Sequence, residues 1–566
     1  MNTQPKRWRL ILDVTLGVTA ALALVGLFYR AHGPLTVEER LLFAISDLLI
    51  ILLLMFHGLS HLFAQEPEQP LLSRALVVDL IVFAPVVAFL RGHEIAPSLC
   101  IVVRQAAALF FVLLRPQRKQ RLLTALTRQP ALMLVFSFAG AIFIGSALLA
   151  LPISTVSGQP PSVVDAVFTI TSATCVTGLT VLDTGQDFSY FGQLVILACI
   201  QLGGLGIMTF SVWLLLASGQ VLRKHQQALM QTVLDEETIA GIVEQIRFIL
   251  MMTLVCESVG AVAYFFAWRE RFASAGQAAY AAIFHSISAF CNAGFSLFRS
   301  SLTEYRGDIP VNLITCALIV IGGLGFFVVR DLWIHLRGSA EGHRPLRLQT
   351  RMVLTATAVL ICGGAILIFI SERRGLLRDL PLHQQAIASL FQSITARTAG
   401  FNTLDTARLA DSTRLVLLFL MYVGASPGST GGGIKTTTLW ILLHQAFAGM
   451  RAHDQVQVGR RALPPGLVQK ATAIVFFYTF FLATGSFLLM FFHAIPFRDI
   501  VFDATSAIGT VGLSTGAVGQ LSEVGKWIMT ALMFIGRLGP LTIALVVAGY
   551  RPAPRYEYAE ETVAVG

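Results

Sequence analysis

Long apolar runs alternate with short polar or basic loops along the chain, and in four places the loop is replaced by a different kind of segment. Runs near Leu10 to Tyr29, Leu41 to Phe63, Ala75 to Leu90 and Cys100 to Leu114 come first. The last two are short for a span that needs about 20 residues. Outer runs near Leu132 to Leu151, Phe248 to Trp268, Val353 to Ser371 and Ala471 to Phe492 are then each followed by an inner run, near Gln193 to Leu216, Val311 to Trp333, Leu415 to His444 and Trp527 to Val547. Between outer and inner run lies a stretch too short and too rich in Thr and Ser to cross a bilayer. These stretches are Asp165 to Gly178 (DAVFTITSATCVTG), Ala281 to Gly294 (AAIFHSISAFCNAG), Ile387 to Gly400 (IASLFQSITARTAG) and Asp499 to Gly512 (DIVFDATSAIGTVG). Each has an aromatic anchor (Phe168, Phe284, Phe391, Phe502) and closes on glycine, at intervals of roughly 110 residues, the mark of a repeated unit. The pattern predicts an all-α polytopic membrane protein, with an N-terminal bundle of about four helices over 1–130, repeats over 131–222, 223–335, 336–450 and 451–550, and a tail over 551–566.

Each Thr- and Ser-rich stretch reads as a re-entrant hairpin, a short helix that dips into the membrane and returns as extended backbone. Such backbone is tolerated at that depth only where protein buries it or water lines it. One hairpin of this kind is an ordinary extracellular loop; four in equivalent positions predict a pore, with a ring of carbonyls replacing the hydration shell of a monovalent cation. The expected filter is Thr174, Cys175, Val176, Thr177 and Gly178, then Cys291, Asn292, Ala293 and Gly294, then Arg397, Thr398, Ala399 and Gly400, and last Gly509, Thr510, Val511 and Gly512. Side chains differ between copies, so carbonyls must make the common ring, with glycine supplying conformations that a Cβ forbids and each short helix the negative end of its dipole. Arg397 is expected behind the filter wall. Asp183 and Asp405 lie five residues past Gly178 and Gly400, either concentrating cations at an outer mouth or standing in exposed loops without a role.

Composition agrees: 55% of the residues are hydrophobic, 13% are charged and mean hydropathy is +0.72, outside the range of ordinary soluble domains. The net charge of +9 lies in short loops, where it orients the chain and does not indicate nucleic acid. Arg115 to Arg128, Arg223 to Gln227, His335 to Arg351 and Gly459 to Gly466 are basic; these segments belong to the cytoplasm, with both termini, which puts the hairpins outside. Arg223 to Arg247 is amphiphilic enough for a surface helix. Lys6, Arg7 and Arg9 precede an apolar run as in a signal peptide, but a retained first helix is expected. Arg104 and Arg115, with Val77 to Pro85, invite comparison with a voltage sensor, yet form no charge ladder. The seven cysteines have no CxxC spacing and read as free core thiols. No cluster of metal-ligating or nucleophilic side chains suggests an enzyme.

The inner runs share a second signature at their midpoints: QLGGLG (Gln201 to Gly206), VIGGLG (Val320 to Gly325), YVGASPGSTGGGIKTTT (Tyr422 to Thr438) and FIGRLGP (Phe534 to Pro540). Glycines there let helices approach or bend. In the third copy Pro427 must break the helix, leaving an intramembrane loop under the filter. The expected gate is Gly424, Ser426, Gly428, Ser429, Thr430, Gly431, Gly432, Gly433 and Lys435, with Arg537 from the fourth copy. Ile434 separates Gly433 from Lys435, so the Gly-Lys pair of a phosphate-binding loop is absent and no nucleotide site is expected. Arg537 occupies the slot of Gly204 and Gly323, and mid-span arginine must face protein or the aqueous path. It is expected either to contact carbonyls of the 424–433 loop, as a barrier below the filter, or to pair with Glu257.

Together SATCVTGLTVLDTG, IQLGGLGIMTF, FHSISAFCNAGFSLF, QSITARTAGFNTLD, GASPGSTGGGIKTTT, ATSAIGTVGLSTG and FIGRLGPLT resemble the Trk/Ktr/HKT superfamily of potassium transporters, above all its Ktr-type (NtpJ-like) membrane subunits, over about Ala131 to Tyr550. The resemblance implies four pseudo-fourfold M1-pore loop-M2 units around a central ion pore, a filter glycine in each, and an intramembrane gating loop. It implies potassium preference where all four glycines are present, serine in the first copy going with sodium permeation, and a homodimer on a cytosolic ring of nucleotide-binding RCK subunits. The expected function is potassium uptake across the bacterial inner membrane, with sodium possible. A sodium- or proton-coupled symporter is the alternative, although such carriers usually show inverted repeats and these all run in one direction. The third hairpin departs from the pattern by one residue fewer between Phe391 and Gly400, and the first 130 residues exceed what Ktr-type members need.

Overall fold

A computed structural model describes residues 130–206, 239–337, 345–451, 455–459 and 461–548, all within one compact unit, Gln129–Gly566. The bundle expected ahead of residue 130, its arginines, the Arg223 to Gln227 loop and the tail lie outside the described residues.

The described elements run α1 (Pro130–Leu149), α2 (Val163–Thr174), α3 (Tyr190–Leu205), α4 (Ile239–Trp268), α5 (Ala275–Phe290), α6 (Ile309–Leu324), α7 (Phe326–Arg337), α8 (Leu348–Glu372), α9 (Leu382–Thr395), α10 (Asp411–Tyr422), α11 (Thr436–Met450), a two-stranded hairpin β1 (Gln457–Val458) and β2 (Arg461–Ala462), α12 (Pro465–Phe492), α13 (Phe497–Gly509), α14 (Glu523–Leu538) and α15 (Pro540–Ala548). Val243–Trp268, Leu348–Glu372 and Pro465–Phe492 are long and apolar enough to cross a membrane. Their exposed faces carry large apolar side chains such as Val259, Ile370 and Phe491, the pattern of a lipid-facing surface. Ile239 to Arg247, read as part of a surface helix, is the continuous start of α4.

Helix starts follow from capping chemistry. Ser162, Ser189, Ser274, Asp308 and Ser522 each accept from an amide in the first turn of α2, α3, α5, α6 and α14, satisfying a donor that the helix leaves orphaned. Each short helix packs on the long one before it: α2 on α1, α5 on α4, α9 on α8 and α13 on α12. Each helix that follows a hairpin packs on the short helix of the next, α3 on α5, α6 on α9 and α10 on α13, while α14 returns to α2 and closes the circle. Ion pairs fasten two of those joints, Lys526 with Asp165 at 2.5 Å and Arg414 with Asp499 at 3.2 Å.

The inner helices, whose midpoint glycines were expected to let them approach or bend and in the third copy to break, end or bend sharply at a glycine in the other copies too. α3 ends at Gly206 (φ 78°), α6 and α7 meet at Gly325 (φ 93°) with a bend of 98°, and α14 and α15 meet at Gly539 (φ 89°). Positive φ ends the helical ladder at each glycine. Three residues upstream of these breaks, the shared glycine of the signature serves close approach: a Cβ on Gly203, Gly322 or Gly536 would collide with the carbonyl of Thr174, Phe290 or Ile508 near the end of a short helix.

Candidate functional site

Each hairpin turns where its short helix ends. Val176, Asn292, Thr398 and Thr510, each two residues before a closing glycine, have φ of 56°, 59°, 72° and 51°; Gly178, Gly294, Gly400 and Gly512 have φ of 90°, 70°, 76° and 98°. For the non-glycine residues this left-handed backbone is strained by about 1–3 kcal/mol each. It persists because hydrogen bonds from the short helix fix the turn. The Thr177 amide donates to the Ser172 carbonyl (2.7 Å) and that of Gly178 to Ser172 Oγ (3.1 Å). Val511 and Gly512 donate in the same way to Ser506, and Ala293 donates to the Ser288 carbonyl. In the third hairpin Ala399 and Gly400 both donate to the Thr395 carbonyl. The residue missing there falls between this hydroxyl residue and the glycine, so the deletion is absorbed in the turn.

Across a trans peptide the C=O points opposite to the N–H. Amides turned back to the short helix therefore send the carbonyls of Val176, Thr177, Asn292, Thr398, Ala399, Thr510 and Val511 the other way. The glycines show where they go. A Cβ built on Gly178 would lie 2.6 Å from the Ala293 carbonyl oxygen, and one on Gly294 2.7 Å from that of Ala399. On Gly400 it would run into the Val511 oxygen, and on Gly512 into the Thr177 oxygen, closer still. The four glycines and the four carbonyls before them form one closed ring in the order 178, 294, 400, 512.

On one side the ring floors a cavity of about 500 Å³, lined by the four glycines and by segments that follow them. Asp183 and Asp405 line it, but so do Arg299, Arg306 and Arg408. The Asp183 carboxylate accepts from the amides of Gly185 and Gln186, and that of Asp405 from Ala407, so both cap turns.

On the other side the ring meets the irregular loop between α10 and α11. A Cβ on Gly431 or Gly432 would collide with the hydroxyl of Thr398 or Thr510. The loop also completes the broken helix of the second unit: Ser426 and Thr430 amides donate to the Gly323 and Gly322 carbonyls (3.1 and 3.3 Å), and Phe326 donates to Gly428 (2.8 Å). Carbonyls that a helix end leaves orphaned thereby find partners. Gly428 (φ 67°) lies against the Phe327 ring, Gly433 (φ 69°) against Gly424, and Val423 bridges Ile434. Ser429 Oγ donates to Ser426 (2.6 Å) and Lys435 Nζ to the Gly431 carbonyl (2.7 Å).

Arg537 donates from Nη1 to the Thr430 carbonyl and from Nη2 to the Gly203 carbonyl, joining the loop to the broken end of α3. Glu257 instead accepts from Gln201 (3.4 Å) and Cys291 (3.8 Å); no Arg537–Glu257 pair exists among the described residues. Arg397 is buried, with Nη2 donating to the Gly424 carbonyl at 3.5 Å. The described cysteines are free, Cys175 and Cys291 buried in the hairpins.

The residue list drawn from sequence held the residues of the turns but missed what holds them, Ser172, Ser288, Thr395 and Ser506. The available signal was a hydroxyl residue at a matching place in every copy. The left-handed Val176, Thr398 and Thr510 had none, since a β-branched residue argues against positive φ. Among the described residues no group of three or more His, Cys, Asp and Glu converges.

The long apolar helices are those of a helical membrane protein. The family model described as "TrkH: Cation transport protein" matches residues 107–558, and the chain belongs to that family. It is 38% identical over 436 residues to the Ktr system potassium uptake protein B of Vibrio alginolyticus, covering 76% of this chain and 94% of that one. It is 34% identical over 444 residues to the potassium/sodium uptake protein NtpJ of Enterococcus hirae, covering 77% and 97%. The crystal structure of the potassium transporter TrkH from Vibrio parahaemolyticus shares the fold, with a TM-score of 0.61 at 21% identity, covering 83% of this chain and 96% of that one. These relatives are named as transporters, not enzymes.

Proposed function

We propose that this protein takes up potassium across the cytoplasmic membrane of a bacterium, through a pore formed by four like-oriented repeats. The observation that carries the reading is the ring: four glycines, each against the carbonyl before the next, at the floor of an open cavity. Carbonyls so placed replace the water around a monovalent cation, and four short helices aim their C-terminal ends at the same point. The filter comprises the turns ending at Gly178, Gly294, Gly400 and Gly512. Relatives named as potassium uptake proteins support potassium as the cargo, and one named for potassium and sodium makes sodium a second candidate.

The loop from Gly424 to Lys435 is the gate. Gly431 and Gly432 close against the filter from below, and Arg537 holds the loop in place while setting positive charge on the path. Removing the loop from the path requires these contacts to be exchanged, work that a cytosolic RCK subunit supplies in our reading; relatives named as parts of a Ktr system fit such a partner. The protein acts as a homodimer in lipid, with both termini in the cytoplasm. The test is potassium uptake in a transport-deficient host, comparing the wild type with Gly178→Ser. The serine variant is expected to admit sodium. A variant as selective for potassium as its parent removes the filter assignment.

A further inference from the structure

Behind each hairpin, next to its anchoring phenylalanine, stands one buried polar residue: Thr169, His285, Gln392 or Asp503. Two residues past each glycine, on the outward limb, stand Thr180, Ser296, Asn402 and Ser514. In the second and fourth hairpins these positions bond across the turn. His285 Nε2 lies 2.9 Å from Ser296 Oγ, and Asp503 Oδ2 accepts from Ser514 Oγ at 2.7 Å. His285 Nδ1 lies 2.8 Å from the Ala281 carbonyl, so in the singly protonated ring Nδ1 donates there and Nε2 accepts from Ser296. The ring is held flat against Phe298 at 4.6 Å and edge-on to Trp268 at 5.1 Å. Asp503 binds more of the limb: Oδ1 accepts from the Thr515 amide (2.8 Å) and hydroxyl (3.2 Å), and Oδ2 also from the Val518 amide (3.2 Å).

The other two hairpins lack this tie. Thr169 Oγ1 and the Gln392 amide meet no partner among the described residues. Asn402 is laced instead to the neighbouring hairpin, its amide donating to Ser301 Oγ and its carbonyl accepting from Leu302. Gly294 and Gly512 are opposite corners of the ring, since each neighbours Gly178 and Gly400 and not the other.

We propose that His285 and Asp503 are positioning residues for ion selection, fixing the outward limbs of two opposite hairpins and so limiting how far the carbonyl ring can widen. A ring that widens freely fits its oxygens to a smaller or larger ion equally well; one pinned at opposite corners keeps its spacing. This inference rests on the reading of the ring as the filter.

The experiment measures rubidium uptake by cells expressing the full chain, in competition with potassium and with sodium, normalised to protein in the membrane. Asp503→Asn turns an acceptor oxygen into a donor facing donors; at least a tenfold fall in discrimination between potassium and sodium is expected. His285→Leu is expected to act alike, with His285→Gln, which retains an acceptor, restoring most of it. Thr169→Val and Gln392→Leu are expected to change the ratio less than twofold. Should Asp503→Asn fail to accumulate, Ser296→Ala removes the His285 tie and Ser514→Ala/Thr515→Val removes both hydroxyl bonds to Asp503 from the cavity side, leaving only the two amides, and these variants decide the matter. The double variant Asp503→Asn/Ser514→Ala is expected to be no worse than Asp503→Asn alone. Unchanged selectivity in Ser514→Ala/Thr515→Val and Ser296→Ala, or an equal change in Thr169→Val and Gln392→Leu, overturns the proposal. Gly178→Ser separates the two failures. If it alters the ratio while the staple variants do not, the filter stands and the staple falls; if it too is silent, the filter reading has failed.

Discussion

The carbonyl oxygen of Thr177 occupies the space that a Cβ on Gly512 would need, so the first hairpin of the chain and the last are the neighbours that close the ring. Residues more than 300 positions apart thus meet backbone to backbone, in a joint that the Lys526–Asp165 pair and the packing of α14 on α2 also hold. Two constraints act at each glycine together: a left-handed φ, between 70° and 98°, and a carbonyl where a side chain would begin. Either alone excludes most residues, and the second differs in severity around the ring.

That difference orders the outcome of alanine substitution. The space at Gly178 and Gly294 is 2.6 and 2.7 Å, and it is smaller at Gly400 and Gly512. Because the obstructing atom is backbone oxygen in every case, the ring itself must shift. Gly400→Ala and Gly512→Ala are expected to lose more than tenfold in potassium uptake per inserted molecule, Gly178→Ala and Gly294→Ala less. Equal losses at all four positions would show that φ, and not clearance, governs the site.

Arg537 is a second test. A mid-span arginine costs about 3 kcal/mol to insert, and this one recovers it through the Thr430 and Gly203 carbonyls. Arg537→Ala frees the loop and removes a positive charge from the path. Faster uptake with weaker dependence on any cytosolic regulator is expected, measured as initial rates against external potassium. Arg537→Lys, with one compact ammonium in place of a fork, is expected to fall between. Wild-type rates in both variants at normal expression would remove the arginine from the gate.

Much of this arrangement was legible beforehand. The positions of the turns followed from where Thr and Ser interrupt apolar runs, and the glycines from their recurrence. Gly206, Gly325 and Gly539 were read only as places where helices approach or bend, because in sequence a helix-ending glycine looks like a helix-packing one; Gly203 and Gly206 stand within one turn and do opposite things. Its cost in lipid set Arg537 facing protein or the aqueous path, with the loop carbonyls and Glu257 as alternative partners; it meets the Thr430 carbonyl of the loop, and its second partner, the Gly203 carbonyl, lies where α3 ends. The tie between Asp503 and Ser514 left no trace, since the position after the anchoring phenylalanine carries four different residue types in the four hairpins.

The cavity floored by the ring is tested by charge removal. Asp183 and Asp405 were candidates for concentrating cations, but their carboxylates cap turns, and Arg299, Arg306 and Arg408 line the same space. Asp183→Asn and Asp405→Asn are expected to change potassium uptake less than twofold, and the salt dependence of the rate hardly at all. A large, salt-sensitive fall would restore the two carboxylates to a part in attracting the ion.

The contact between Gly431 and Thr398 allows a reciprocal test of the gate. A Cβ on Gly431 would collide first with the Thr398 hydroxyl and then with the Ala425 methyl, so the strain of Gly431→Ala falls on the loop or on the filter turn. If the loop yields, it no longer seats under the ring and uptake becomes leaky; if the turn yields, discrimination between potassium and sodium falls. Thr398→Ala removes the obstructing oxygen while leaving the left-handed turn, so Gly431→Ala/Thr398→Ala is expected to recover at least half of what Gly431→Ala loses. Thr510→Ala, which touches Gly432 and not Gly431, is expected to give no such rescue. A double variant no better than Gly431→Ala would mean that the loop senses the glycine through its own backbone, and that direct contact between gate and filter is not what keeps the path shut.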